Sequence, residues 1–166
     1  MLRLTLFTLI LSLLVGCNTQ QGEAPQETVD TLPTLTYETP AALDIPAPMN
    51  VSSVDDWEAK VFNKDIEIIQ VLNVINPIAA YITAGFEKYG TRFSPTLTEE
   101  WEDTVVQLTA ALTLYEDCNV RRAAGSFDKQ LFLDMEEVWQ LLVKTGVAGV
   151  RTNQMVDSEM RRIAGA

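Results

Sequence analysis

Apolar residues recur every three or four positions through most of the chain beyond residue 53. Lines of this spacing predict amphipathic helices, because residues three and four apart lie on the same helical face. Such lines begin at Trp57, Trp101 and Phe127, and no segment of this part alternates with period two over a useful length. We therefore predict an all-α domain over residues 53–166, folded as a small bundle of four or five helices.

The predicted number of helices depends on a few residues that interrupt these lines. Pro77 disfavours a helical conformation at the residue before it, which predicts a kink or a break within residues 54–89. Thr98, followed by three glutamates, is typical of a helix start. Gly125 predicts the end of that helix. Gly146 and Gly149 predict a loosened connection after the third long helix. A last short helix is predicted to begin at about Thr152.

The first 17 residues have a different pattern. A single cation, Arg3, precedes an apolar run over residues 4–15 that contains only three hydroxyl side chains. About 12 residues are too few to cross a hydrocarbon core of ~30 Å as a helix. A charged start followed by a short apolar run is typical of a secretory signal peptide.

The apolar run ends in Leu14-Val15-Gly16-Cys17. This tetrapeptide resembles the lipobox of bacterial lipoproteins, although a Cys can also follow an ordinary signal peptide by chance. The resemblance implies a signal peptide over residues 1–16, an acylated Cys17 as the first mature residue, and a lipid anchor in the bacterial cell envelope. Asn18, in place of an aspartate, implies delivery to the outer membrane. The resemblance covers only these first residues, and residues 53–166 suggest no family.

Residues 17–52 are rich in Pro and Thr and contain no Lys or Arg. Prolines remove backbone donors and fix φ, so this composition predicts a disordered or polyproline-like tether. Fully extended, it would reach roughly 100 Å at ~3.1 Å per residue. Alternatively, residues 34–48 dock on a partner, with Leu35 and Tyr37 as anchors. The tether's charge of -5 comes from Glu23, Glu27, Asp30, Glu38 and Asp44.

Charge and composition exclude several functions. Twelve Lys and Arg against 23 Asp and Glu give a formal charge of -11, which would repel nucleic acid. The chain has no His, so a Ser-His-Asp triad, a His-ligated haem and an imidazole zinc site are impossible. We predict no enzymatic activity, no cofactor and no metal site, and interpret the acidic clusters as solvated surfaces.

The remaining candidate residues allow a binding pocket or a plain core. Three tryptophans fall on three different helical lines and could surround an apolar ligand or simply fill the bundle. Two asparagines near Pro77 could add polar contacts to such a pocket or satisfy backbone groups freed by a kink. Cys118 is interpreted as structural, with a thiolate favoured by the nearby arginines as the alternative. The pocket or core candidates are Trp57, Trp101, Trp139, Asn73 and Asn76.

These observations favour a membrane-anchored envelope lipoprotein whose helical domain is a non-catalytic scaffold for another envelope protein. The alternative is a small-ligand-binding module with a pocket in the bundle. A thiol-dependent or carboxylate-dependent enzyme is a third and weaker hypothesis. An exposed apolar patch would favour the scaffold, and a closed pocket ringed by the three tryptophans would favour the ligand-binding module.

Overall fold

The computed structural model of the protein describes residues 43–165, and most of these residues are helical. The helices are α1 (Trp57–Tyr89), α2 (Pro95–Ala123) and α3 (Lys129–Ala164), and a 3-10 turn (Gly90–Arg92) follows α1. No strand occurs within residues 43–165. The prediction of an all-α fold is confirmed for this part of the chain. The predicted signal peptide, Cys17 and most of the predicted tether lie outside the described residues.

The helices form an up-down-up bundle in which α3 packs against both α1 and α2. Lys64 near the start of α1 pairs with Glu136 near the start of α3, and Tyr81 further along α1 bonds Asp157 further along α3. These contacts show that α1 and α3 run parallel. Because α2 connects them through short turns, it runs antiparallel to both.

The bundle has three helices, where the sequence pattern predicts four or five. Pro77 lies inside α1 without ending it. Gly146 lies inside α3, where a Cβ atom would come 3.3 Å from Ile75 Cγ1 on α1, and Gly149 lies one turn further on. These glycines therefore do not loosen a connection. They allow α1 and α3 to approach each other closely, and the packing holds α3 as one helix.

The observed helix starts also differ from the predicted ones by a few residues. The N-cap of α2 is Ser94, whose hydroxyl accepts from the Leu97 N–H, and Pro95 occupies the first helical position. This start precedes the predicted Thr98 by one turn. Gly125 adopts φ 75° after α2, as a residue that ends a helix should. The N-cap of α3 is Asp128, which accepts from the Leu131 N–H at 2.7 Å.

Buried residues in all three helices follow alternating steps of three and four. This average period of 3.5 is that of a left-handed coiled coil, so each helix keeps one line of side chains facing the other two. Several positions on these lines carry small or polar side chains rather than large apolar ones. On α2 the buried residues are Leu97, Trp101, Thr104, Leu108, Ala111 and Cys118.

Candidate functional site

The centre of the bundle contains a small, partly open cavity. Trp101, which is only 5% exposed, lines the cavity with Ile75, Ile82, Thr104 and Gly149 among others. The cavity volume is about 10 Å³, which is roughly the space that one water molecule needs. Ligand pockets are usually about 300 Å³ or larger, so this cavity gives no room for a ligand.

The other two tryptophans lie far from this cavity. Trp57, at the start of α1, contacts Phe132 with ring centroids 6.1 Å apart. Trp139 lies on α3 with the Lys64 ammonium 5.0 Å from its ring centroid. Both are half-buried. The structure therefore does not bring the three tryptophans together around one space.

The two candidate asparagines also have separate environments. The Asn73 side chain binds the backbone of Leu43, accepting from its N–H at 2.8 Å and donating to its carbonyl oxygen at 3.3 Å. Asn76 is half-buried beside Pro77 within the continuous α1 helix. Asn73 thus contacts the chain segment before the bundle rather than a pocket inside it.

A buried ionic network lies at the end of the bundle near the α2–α3 turn. Asp65 is only 6% exposed, forms an ion pair with Arg122, and accepts from the Tyr115 hydroxyl at 2.5 Å. Burial, followed by the hydrogen bond to Asp65, raises the pKa of the Tyr115 hydroxyl. The network joins α1 to α2 through the Asp65 carboxylate. The spacing of apolar residues does signal that Asp65 is buried, because Asp65 lies four residues after Val61 and three before Ile68 on the inward line of α1.

Cys118 is fully buried beside this network. Burial, and then the nearby Asp134 carboxylate, raise the pKa of its thiol to about 11. Arg121, which the sequence places near the thiol, pairs with Asp134 on α3 instead. Cys118 is therefore protonated at neutral pH, which agrees with the structural interpretation.

The outer face of the α1–α3 pair carries exposed apolar side chains. We call Val74, Val143, Val147 and Val150 the apolar strip; all four are exposed, and Val147 is 69% exposed. Val143, Val147 and Val150 follow one another at helical spacing along α3. Ile75 on α1 meets Gly146 on α3. Val74 lies about 100° before Ile75 around α1 and Val147 about 100° after Gly146 around α3, so in two parallel helices both valines lie on the same side of the pair. These side chains therefore form one surface across two helices.

Polar interactions between the same two helices frame the apolar strip. At the end nearer the start of α1, the Lys64 ammonium lies 2.9 Å from a carboxylate oxygen of Glu136 on α3. It also lies 2.5 Å from a carboxylate oxygen of Glu67 on α1. Burial opposes protonation of Lys64, but its hydrogen bonds to the two glutamates raise its pKa overall. At the other end the Tyr81 hydroxyl donates to Asp157. An apolar surface with a polar rim is typical of a protein interaction site.

A second feature that the sequence interpretation missed is an extended segment bound along α1. We call residues 43–49 the strap. Asn63 accepts from the Met49 N–H at 2.8 Å and donates to the Met49 carbonyl oxygen at 2.9 Å. Asn73 holds Leu43 in the same way at the other end of the strap. The sequence does contain a signal, since apolar residues alternate at Leu43, Ile45, Ala47, Met49 and Val51.

The described residues also bear on the presence of metal sites and of membrane-spanning helices. Within residues 43–165, no group of three or more Cys, Asp or Glu side chains could hold a metal ion. One helical stretch there, Trp57–Arg92, is long and apolar enough to cross a bilayer, with a mean hydropathy of 1.4. Apolar residues of α1 contribute to the core of the bundle, to the face under the strap and to the apolar strip. These three roles account for the apolar composition of the helix.

No protein family, curated protein or solved structure matches this chain. Function must therefore be inferred from the geometry described above and from the sequence patterns.

Proposed function

We propose that this protein is a bacterial envelope lipoprotein whose helical domain is a non-catalytic docking module for another envelope protein. In this proposal residues 1–16 are a signal peptide and Cys17 carries the acyl chains. The residues between Cys17 and the strap form a tether. The membrane attached through Cys17 is the outer membrane, on the basis of Asn18. Neither a cofactor nor a nucleic acid takes part.

The observation that carries the docking role is the apolar strip. Fully burying a valine stabilises a complex by roughly 1.5–3 kcal/mol relative to leaving it exposed, so exposed valines on one surface favour association. The strip follows two parallel helices, and an amphipathic helix laid between them would complete a four-helix arrangement. The partner that best fits this surface therefore contributes an apolar helical face.

The strip is tested by replacing Val147 with aspartate. We expect the variant to bind its envelope partner about 10- to 100-fold more weakly, because a desolvated carboxylate replaces an apolar contact. The partner is first identified by photocrosslinking in the native cells from a photoreactive residue at position 147. Binding is then measured with the purified partner and the full chain.

Val106 provides a matched control. It is 68% exposed and lies on α2, away from the strip. A photoreactive residue at position 106 should give no crosslink to the same protein, and Val106→Asp should leave its binding unchanged. Equal crosslinking from both positions, or equal loss of binding in both variants, would contradict a docking role for the strip.

The anchor is tested by replacing Cys17 with serine. We expect the variant to incorporate no labelled palmitate and to leave the membrane fraction, because a serine hydroxyl cannot take the thioether-linked lipid. Without acyl chains, each worth about 0.8 kcal/mol per buried CH₂, membrane attachment is lost. Cys118→Ser is the control and should keep the label. Label retained in Cys17→Ser would refute the lipoprotein assignment without affecting the docking surface.

A further inference from the structure

We propose that α1 carries a binding site for an extended, proline-containing peptide, formed by Asn63 and Asn73, and that its resident ligand is the chain's own strap. This inference concerns the described residues only. It holds whether or not Cys17 is acylated. The strap lies beside the apolar strip, because Asn63 and Val74, eleven residues apart, are about 20° apart around α1.

The two asparagines recognise backbone rather than side chains. Each amide accepts from the N–H of one strap residue and donates to the carbonyl oxygen of the same residue. A side-chain amide is suited to this role because it has both a donor and an acceptor. The pairing satisfies both polar groups of Leu43 and both of Met49. It therefore places no requirement on the identity of those side chains.

The spacing of the asparagines matches the length of an extended chain. Ten residues of helix separate Asn63 from Asn73, which is a rise of about 15 Å, and they lie about 80° apart around the helix. The strap thus crosses α1 obliquely, over a path longer than the rise alone. Six residues of extended chain span about 20 Å at the ~3.3 Å rise per residue of a β-strand. The length of the strap matches the oblique distance between the two asparagines only if residues 43–49 are nearly fully extended.

The prolines of the strap occupy positions that the site leaves unused. Successive residues of an extended chain direct their N–H groups to opposite sides, so Leu43 and Met49, six apart, share one side. Pro46 and Pro48 fall on the alternate positions, where the missing N–H groups would point away from α1. Proline is tolerated at such positions and excluded where the N–H is needed. The site therefore fixes a register: it requires free N–H groups six residues apart and tolerates prolines at alternate positions between them.

Two observations favour the strap of the same chain as the occupant. Residues 50–56 alone connect the strap to α1, and the Ser52 N–H and hydroxyl are fixed to Asp56 at 2.9 and 2.6 Å. A short connection of this kind gives an effective concentration in the millimolar range, which a separate peptide would have to exceed. Ile66, on the α1 face between the two asparagines, is 6% exposed although it lies off the inward line. A strap that crosses α1 between the two asparagines would cover this side chain.

The proposal is tested by hydrogen exchange measured by NMR on the full chain in detergent. We expect the amides of Leu43 and Met49 to exchange at least tenfold more slowly than those of a disordered segment. In the double variant Asn63→Ala/Asn73→Ala this protection should disappear. Gln154→Ala, an exposed amide truncation on α3, should leave it unchanged. Circular dichroism checks that each variant keeps its helices.

A proline pair tests the register. Met49→Pro removes a bonded N–H, and we expect at least a threefold acceleration of exchange at Leu43 as the strap loosens. Asn50→Pro introduces the same residue one position later, on the side that faces away, and should leave exchange at Leu43 unchanged. Unprotected amides in the wild-type chain, or equal effects of the two prolines, would overturn the site. Protection that disappears on dilution would overturn the strap as its occupant and assign the site to a second copy.

Discussion

Replacing Trp101 with alanine is expected to lower the free energy of unfolding by about 3–5 kcal/mol, among the largest losses that a single substitution produces. Trp101 is almost fully buried, and its ring stacks on Phe86 with centroids 6.2 Å apart. It also lines the cavity at the centre of the bundle. Truncation would therefore remove apolar contacts and enlarge an existing void. Urea denaturation followed by circular dichroism measures the change.

Trp57→Ala is the matched control, because Trp57 is only half-buried and lies at the end of the bundle against Phe132. Its loss should be clearly smaller than that of Trp101→Ala. An unchanged urea midpoint for Trp101→Ala, or equal losses for the two variants, would show that Trp101 is not a core residue.

The second large effect is expected from Arg122→Ala, with a loss of about 3 kcal/mol. Asp65 is buried and paired with this guanidinium. Removing the cation leaves a carboxylate in the interior with the Tyr115 hydroxyl as its remaining partner. The penalty comes from the stranded negative charge rather than from the small value of an exposed ion pair.

A double variant separates these two contributions. Asp65→Leu/Arg122→Met removes both charges and keeps the volume, so it should recover most of the stability lost in Arg122→Ala. Urea unfolding of the wild type and both variants at one pH gives the comparison. If Arg122→Ala is as stable as the wild type, or the double variant is as unstable as Arg122→Ala, the stranded charge is not the cause.

Much of the core can be predicted from the sequence because large apolar residues mark it. Leu131, Met135, Val138 and Leu142 fall on one predicted line and are all fully buried. On α2 the predicted line is less accurate. Steps of four and three from Trp101 predict Val105 and Leu112 as core residues, but both are half-buried at the flank, whereas Thr104 and Ala111 are buried. A pattern that counts only large apolar residues misses small buried ones such as these. Small residues are nevertheless required where two helices pack closely.

The candidate sites were harder to predict because they depend on pairing across the bundle. The spacing of Asp65 places it on the inward line of α1, but Arg122 looks like a surface charge when read alone, and only the antiparallel pairing of α1 and α2 places the two together. The same holds for the apolar strip, because the parallel arrangement of α1 and α3 decides which exposed valines become neighbours. The strap binds because the distance between Asn63 and Asn73 matches the length of an extended seven-residue segment. The helical spacing of apolar residues does not predict this match.

The parallel arrangement of α1 and α3 also has a consequence for the order of folding. Contacts between these helices join residues more than 70 positions apart, such as Lys64 with Glu136 and Tyr81 with Asp157. Arg121 and Asp134, which join α2 to α3, are only 13 positions apart. Closing a longer loop loses more chain entropy before any contact compensates for it. We therefore expect the α2–α3 hairpin to form first and α1 to dock onto it afterwards, carrying the strap with it.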